Sequence, residues 1–259
     1  MQKKVSSTVF RVWGIFHCLV QFDLLQFVDL SHESEGRAPR ADEAGGIYHA
    51  LNRGNARQPI FFKDADYEAF ERIIAEGLLK FPIDLIAYQW MKNHWHMVLS
   101  PHENGGMGQF LRWVTLTHTQ RYHAHYKTAG YGHVYQGRFK SFPVQADEHF
   151  HVVCRYVERN ALTARLVKKA EDYRWGSLYN WLGGDCPVEL ASWPIRRLPN
   201  WTNHVNRVIT KKEQEAFTRS VNRGVPFGTE QWIAATVKRL RLESTIRPRG
   251  RPKKLPKTP

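Results

Sequence analysis

The chain is predicted to be an α+β protein: a ferredoxin-like antiparallel sheet with helices on one face, an extra helix after the last strand and a C-terminal basic tail. Three observations carry this expectation. The elements run strand, helix, strand, strand, helix, strand, helix. The second and third strands are separated by a short turn, so they form a hairpin. The segments between strands repeat their apolar residues at helical spacing.

The first strand is "GIYHALNRG" (46–54), closed by a turn. In "KDADYEAFERIIAEGLLKF", Phe70, Ile74 and Leu78 recur every fourth residue with Tyr67 and Ile73 beside them, which makes one helical face with Asp64 as the expected N-cap. "IDLIAYQW" (83–90), the turn "MKN" and "HWHMVLS" form the hairpin. The second helix spans 106–126, with Phe110, Trp113, Val114 and Thr117 on a face. "GHVYQGRFKSFPV" (132–144) reads as the fourth strand, and residues 147–166 as a third helix capped by Asp147. A further helix is expected over 230–244.

This pattern divides the chain into an N-terminal extension (1–36), a catalytic-size domain (37–183), a linker or accessory region (184–229) and a helix with a basic tail (230–259). The extension contains the apolar run "VWGIFHCLVQFDLLQFVDL". His17, Asp23 and Asp29 interrupt it, and it is too short and too charged for a membrane span. No small-residue cleavage site follows Lys3 and Lys4, so a peripheral extension is expected rather than a signal peptide.

The net charge is +14, from 38 Lys+Arg against 24 Asp+Glu. A chain this basic suits a polyanion, nucleic acid before an anionic membrane surface. The last 23 residues carry nine Lys/Arg and one Glu, more than half of the excess. Cys18, Cys154 and Cys186 are odd in number and far apart, with neither a zinc spacing nor a disulfide framework, which fits a reducing cytoplasm.

The chemistry centres on "KNHWHMVLSP" (92–101). Alternate strand residues share a face, so His94, His96, Val98 and Ser100 stand together, and Trp95, Met97 and Leu99 face the helices. Two neutral imidazoles can ligate a divalent ion, but a third ligand is required, and the spacing alone favours two surface histidines. In "YHAHY" (122–126) a helical context turns His123 and His125 about 200° apart, so they do not converge. In the third helix, Tyr156 and Asn160 are one turn apart at the edge of the apolar stripe formed by Phe150, Val153, Cys154, Val157 and Ala161. That edge can project polar groups into a cleft, or hold a half-buried Tyr and a surface Asn.

"GGIYHALNRGN", "KNHWHMVL", "GHVYQGRFKS" and "YVERNALTARLV", in this order and at these spacings, resemble the HUH single-tyrosine transposases, in their REP-associated tyrosine transposase branch. The resemblance covers about residues 37–182. It implies metal ligation by His94, His96 and Asn160, a divalent metal (Mg²⁺ or Mn²⁺), and Tyr156 as nucleophile. It also implies single-stranded DNA, folded as a hairpin at a repetitive element, as substrate. The implied reaction is cleavage and rejoining through a 5′-phosphotyrosine. The chain departs from the family pattern at Lys92 and Ala161, where Pro is frequent; neither removes a reacting group. Tyr126 is the second-ranked nucleophile and lacks an amide four residues on.

For DNA contacts, Arg138 and Lys140 alternate along the expected fourth strand with Tyr135 and Phe139 nearby, a pattern that suits phosphates and stacked bases or a solvated strand over an aromatic core. Arg53 and Arg121 are further candidates. Arg249-Gly250-Arg251-Pro252 looks like an AT-hook, and a basic tail without sequence preference fits as well. A cytoplasmic, nucleoid-associated protein is expected, with no membrane partner, as monomer or homodimer. The alternatives are a noncatalytic nucleic-acid-binding protein on the same fold and a metal-dependent nuclease using water.

Overall fold

The computed structural model describes residues 40–247. β1 (Ile47–Arg53) is followed by α1 (Asp64–Lys80), the hairpin β2 (Ile83–Met91) and β3 (His94–Pro101), α2 (Gly106–Tyr126) and β4 (Lys140–Val144). All pairings are antiparallel in the order β2-β3-β1-β4, the expected ferredoxin-like sheet.

The strand period sorts the side chains to two faces. Tyr48, Ala50, Trp95, Met97 and Leu99 meet Phe70, Ile73 and Ile74 of α1 and Phe110, Leu111 and Val114 of α2. Full burial of each Leu, Ile, Val, Met or Phe side chain among them contributes roughly 1.5–3 kcal/mol against chain entropy. A bulge in β2 leaves Ile86 as an extra residue between Leu85 and Ala87, so Ile86 and Ala87 both join the opposite cluster.

That opposite face is covered too. After β4 come α3 (Glu148–Glu158), α4 (Asn160–Thr163), α5 (Ser177–Trp181), α6 (Trp201–Asn206), α7 (Lys211–Arg223), α8 (Glu230–Arg239) and α9 (Glu243–Ile246). Phe150, Val153 and Val157 of α3, Trp201 and Val205 of α6 and Phe217 of α7 cluster with Ile47, Val98 and Phe142 of the sheet. The Glu158 carboxylate, fully buried, accepts from Ser177 Oγ at 2.8 Å and Trp201 Nε1 at 2.6 Å, tying α3 to α5 and α6. Residues 184–229, with no legible periodicity, therefore hold two helices that pack on this second sheet face. Arg239 of α8 pairs with Glu43 near the start of β1.

Several expected boundaries are corrected. Lys63, not Asp64, is the N-cap of α1; the Asp66 carboxylate accepts from the Phe62 and Lys63 amides at 2.7 and 3.1 Å. Asp147 caps α3 as expected, accepting from the His149 amide at 2.9 Å. The third helix is interrupted at Arg159, so 147–166 is not one helix. The fourth strand starts at Lys140 rather than 132, because Gly132 (φ 103°) and Gly137 (φ 155°) take the chain out of extended geometry; only an isolated Gly54–Tyr135 bridge remains. The last predicted helix divides into α8 and α9, with Arg241 at φ 54° between them. Among the described residues no helix is long and apolar enough to cross a membrane.

Candidate active site

β3 places His94 opposite Arg53 of β1 and His96 opposite Leu51, all on the face turned away from α1 and α2. The two imidazole centroids are 5.1 Å apart. α3 crosses the same face, its apolar stripe seated on the sheet, which brings its polar edge over the histidines. Asn160 Nδ2 stands 3.3 Å from His96 Nε2, and the Tyr156 ring centroid is 6.1 Å from that of His96. The single looser turn at Arg159 does not separate Tyr156 from Asn160: both line one cavity of about 340 Å³ with Arg53, His94 and His96.

Thr218, Val221 and Asn222 of α7 form the remaining wall. Phe217, one residue before them and 1% exposed, stacks on Tyr156 with centroids 3.5 Å apart. Sequence reasoning missed this whole wall. α7 carries few apolar residues, so nothing in it announces a buried face. It also missed His49, fully buried on β1 with Nε2 2.9 Å from His96 Nδ1. A signal for His49 was present: in "YHAL" it alternates with Leu51 and Arg53 on the strand face of the pair.

Burial lowers the His94 pKa to about 4, helped by the Arg53 charge, while Asn160 opposes the shift. Burial, with His49, His94 and Arg53 nearby, holds His96 well below its ordinary value. Both rings are therefore neutral at pH 7, the form that offers a lone pair. Burial raises the Tyr156 pKa, and Arg53 only partly offsets this, so the side chain is a protonated phenol at rest.

Two neutral imidazoles and an amide converging on one cavity suit a divalent cation, since an amide turned over presents its oxygen in place of its nitrogen. The donor set of His94, His96 and Asn160 thus fits such an ion. Asp147, Glu148 and His149 form another close donor group, but Asp147 Oδ1 already accepts from the His149 amide as the helix cap and lies 2.8 Å from His149 Nδ1.

The other candidates separate from this site. Arg138 precedes β4 rather than sharing a strand face with Lys140; it lines a groove of about 680 Å³ with Arg40 and Arg112, and Lys140 is the exposed first residue of β4. Tyr135 and Phe139 are buried, not base platforms: Tyr135 Oη lies 2.7 Å from His118 Nδ1 and accepts from Trp95 Nε1, and Arg40 covers the Phe139 ring. Arg121 is paired with Glu76 at 2.9 Å. His123 and His125 diverge, to Thr128 and Lys63. Tyr126 donates to Asp66 at 2.6 Å, away from His94 and His96. Residues 1–36 and the Arg249–Arg251 stretch lie outside the described residues.

The family model described as IS200-like transposase matches residues 44–160, from just before β1 to Asn160. A search of curated proteins found no match. Among solved structures, the chain is similar to a REP-associated tyrosine transposase bound to a REP hairpin (14% identity, 68% of this chain and 99% of that one, TM-score 0.48). It is also similar to a candidate transposase from Deinococcus radiodurans R1 (15% identity, 48% and 95%, TM-score 0.34). The match to the IS200-like transposase family model, over residues 44–160, contains both histidines, the tyrosine and the asparagine of the cavity.

Proposed function

We propose that the chain is a DNA strand transferase of the REP-associated tyrosine transposase type, acting on single-stranded hairpin DNA with a divalent metal, Mg²⁺ or Mn²⁺. The observation that carries this reading is the convergence of Tyr156 and Asn160 on His94 and His96 in one cavity beside Arg53. His94, His96 and Asn160 would hold the ion, which when bound polarises a scissile phosphate and offsets transition-state charge.

The chain's own residues supply the rest. Arg53 places a cation where a phosphate enters. Tyr156 Oη attacks phosphorus, forming the Tyr–O–P bond as the bond to the 3′ oxygen breaks. The phenol gives up its proton, and the departing oxygen takes one up as a free 3′-OH. The product keeps the phosphodiester energy in a 5′-phosphotyrosine, so the reverse attack by a 3′-OH rejoins a strand. Water-based hydrolysis needs no tyrosine beside the ion. A cytoplasmic, nucleoid-associated site of action follows from this substrate.

The test is incubation of single-stranded hairpin oligonucleotides with the protein and Mn²⁺, followed by a denaturing gel. A covalent adduct that disappears in Tyr156→Phe is expected. Cleavage without an adduct would indicate a nuclease, and binding without cleavage a noncatalytic DNA-binding protein; either sinks the reading.

A further inference from the structure

The cavity has a buried neighbour that the proposed chemistry does not yet use. His49 is 0% exposed and lies against Phe142 and Phe217, with centroids 4.7 and 5.1 Å away. Its Nε2 stands 2.9 Å from His96 Nδ1. Its Nδ1 has no hydrogen-bond partner among the described residues. An aromatic hydrocarbon would fill this space without burying an unpaired ring nitrogen of its own, though it would leave His96 Nδ1 without this partner. The ring's one polar contact is His96, so that contact is where a reason for histidine must be sought.

A neutral imidazole carries one N–H. The 2.9 Å contact therefore has two arrangements. In one, His49 Nε2–H donates to His96 Nδ1. His96 then bears its proton on Nε2, and that nitrogen can donate to Asn160 but cannot ligate. In the other, His96 Nδ1–H donates to His49 Nε2. His96 Nε2 then presents a lone pair to Asn160 and the cavity. Asn160 Nδ2, 3.3 Å from His96 Nε2, matches the second arrangement, because an amide nitrogen has only hydrogens to offer.

We infer that His49 is a positioning residue for His96: by accepting the Nδ1 proton it fixes the His96 tautomer and ring so that Nε2 faces the cavity as a ligand. This rests on the metal reading of the cavity given above. The principle is general, since outer partners of ligating histidines set tautomer and orientation, and their removal typically costs 10–100-fold in metal affinity.

Two measurements on the full chain test it. In ¹⁵N-histidine-labelled protein without metal, His96 should show a protonated Nδ1 and an unprotonated Nε2; the reverse pattern overturns the inference. By calorimetric Mn²⁺ titration, His49→Phe should bind on the order of 10–100-fold more weakly than the parent, and His49→Gln, whose amide oxygen can accept the same proton, within about threefold of it. Circular dichroism confirms that each variant is folded. Equal affinity in folded His49→Phe, or equal loss in His49→Gln, contradicts the positioning role. If the parent binds no Mn²⁺, the metal reading fails by itself, and the ¹⁵N pattern still decides the tautomer.

Discussion

Phe217 lies flat on Tyr156, with ring centroids 3.5 Å apart and planes within 22°. A helix some sixty residues downstream thus forms the seat of the proposed nucleophile. Phe217→Ala should lower stability by about 3 kcal/mol, as expected for truncating a fully buried aromatic, and should slow adduct formation by at least about tenfold as Tyr156 loses its seat. Urea unfolding and single-turnover gels check the two effects. An adduct rate equal to the parent's would show that α7 serves only the core.

Among the described residues, the carboxylate of Glu158 is the acceptor for both Ser177 Oγ and Trp201 Nε1. Glu158→Ala leaves two donors buried and opens a void, so a loss on the order of 3 kcal/mol is expected, with Glu158→Gln losing clearly less. Denaturant midpoints of the two variants decide this. Equal midpoints for Glu158→Ala and the parent would remove Glu158 as the tie between α3 and the helices after it.

Stability should also depend on pH through Glu71 on α1, 2% exposed and with Oε1 unpaired among the described residues. Burial pushes its carboxyl up from 4.5 to about 7. Below about pH 4.5 it is protonated folded and unfolded, and contributes no slope. Between about 4.5 and 7 the unfolded chain releases a proton that the folded chain keeps, so stability falls as pH rises and then levels off. Glu71→Gln should match the parent near pH 4.5 and exceed it near pH 8 by roughly 3 kcal/mol. Urea curves at both pH values test this, and a gap that does not widen with pH contradicts it.

Metal removal gives a further outcome. Chelation should abolish adduct formation, and Mn²⁺ should restore it. Asn160→Ala should weaken Mn²⁺ binding by at least about tenfold while leaving the fold intact, because Asn160 sits at the short helix α4 with its amide directed at His96. Unchanged Mn²⁺ affinity in Asn160→Ala would exclude the amide as a ligand.

The basic tail should act through phosphates. Residues 248–259 hold five Lys/Arg and no acid. Their deletion should reduce the slope of log affinity against log salt for single-stranded DNA by up to about 3. An unchanged slope, measured by fluorescence anisotropy across salt, would show that the tail does not touch the strand.

The sheet and the histidine pair were legible because a strand's period of two is unambiguous once Trp95, Met97 and Leu99 are apolar and His94 and His96 interleave them. The crossing of α3 was legible for the same kind of reason, from Phe150, Val153 and Val157 at helical spacing. α7 was not. In "KKEQEAFTRSVNR" only Ala216, Phe217 and Val221 are apolar, so its docking rests on one aromatic whose partner is distant in sequence. Tyr135 and Phe139 were ambiguous because a ring that stacks on bases and a ring that fills a core have the same composition; the buried contact of Tyr135 Oη with His118 Nδ1 decided between them. Gly132 and Gly137 signalled that the fourth strand begins late, since positive φ is incompatible with a regular ladder.

The central claim is that Tyr156 is the nucleophile, and the most direct test is to find which side chain carries the DNA. The adduct formed with a hairpin oligonucleotide is trimmed by nuclease, digested with trypsin and sequenced by mass spectrometry. The nucleotide mass should sit on Tyr156 within the peptide Tyr156–Arg159. A nucleotide on Tyr126, or on any other residue, would contradict the account.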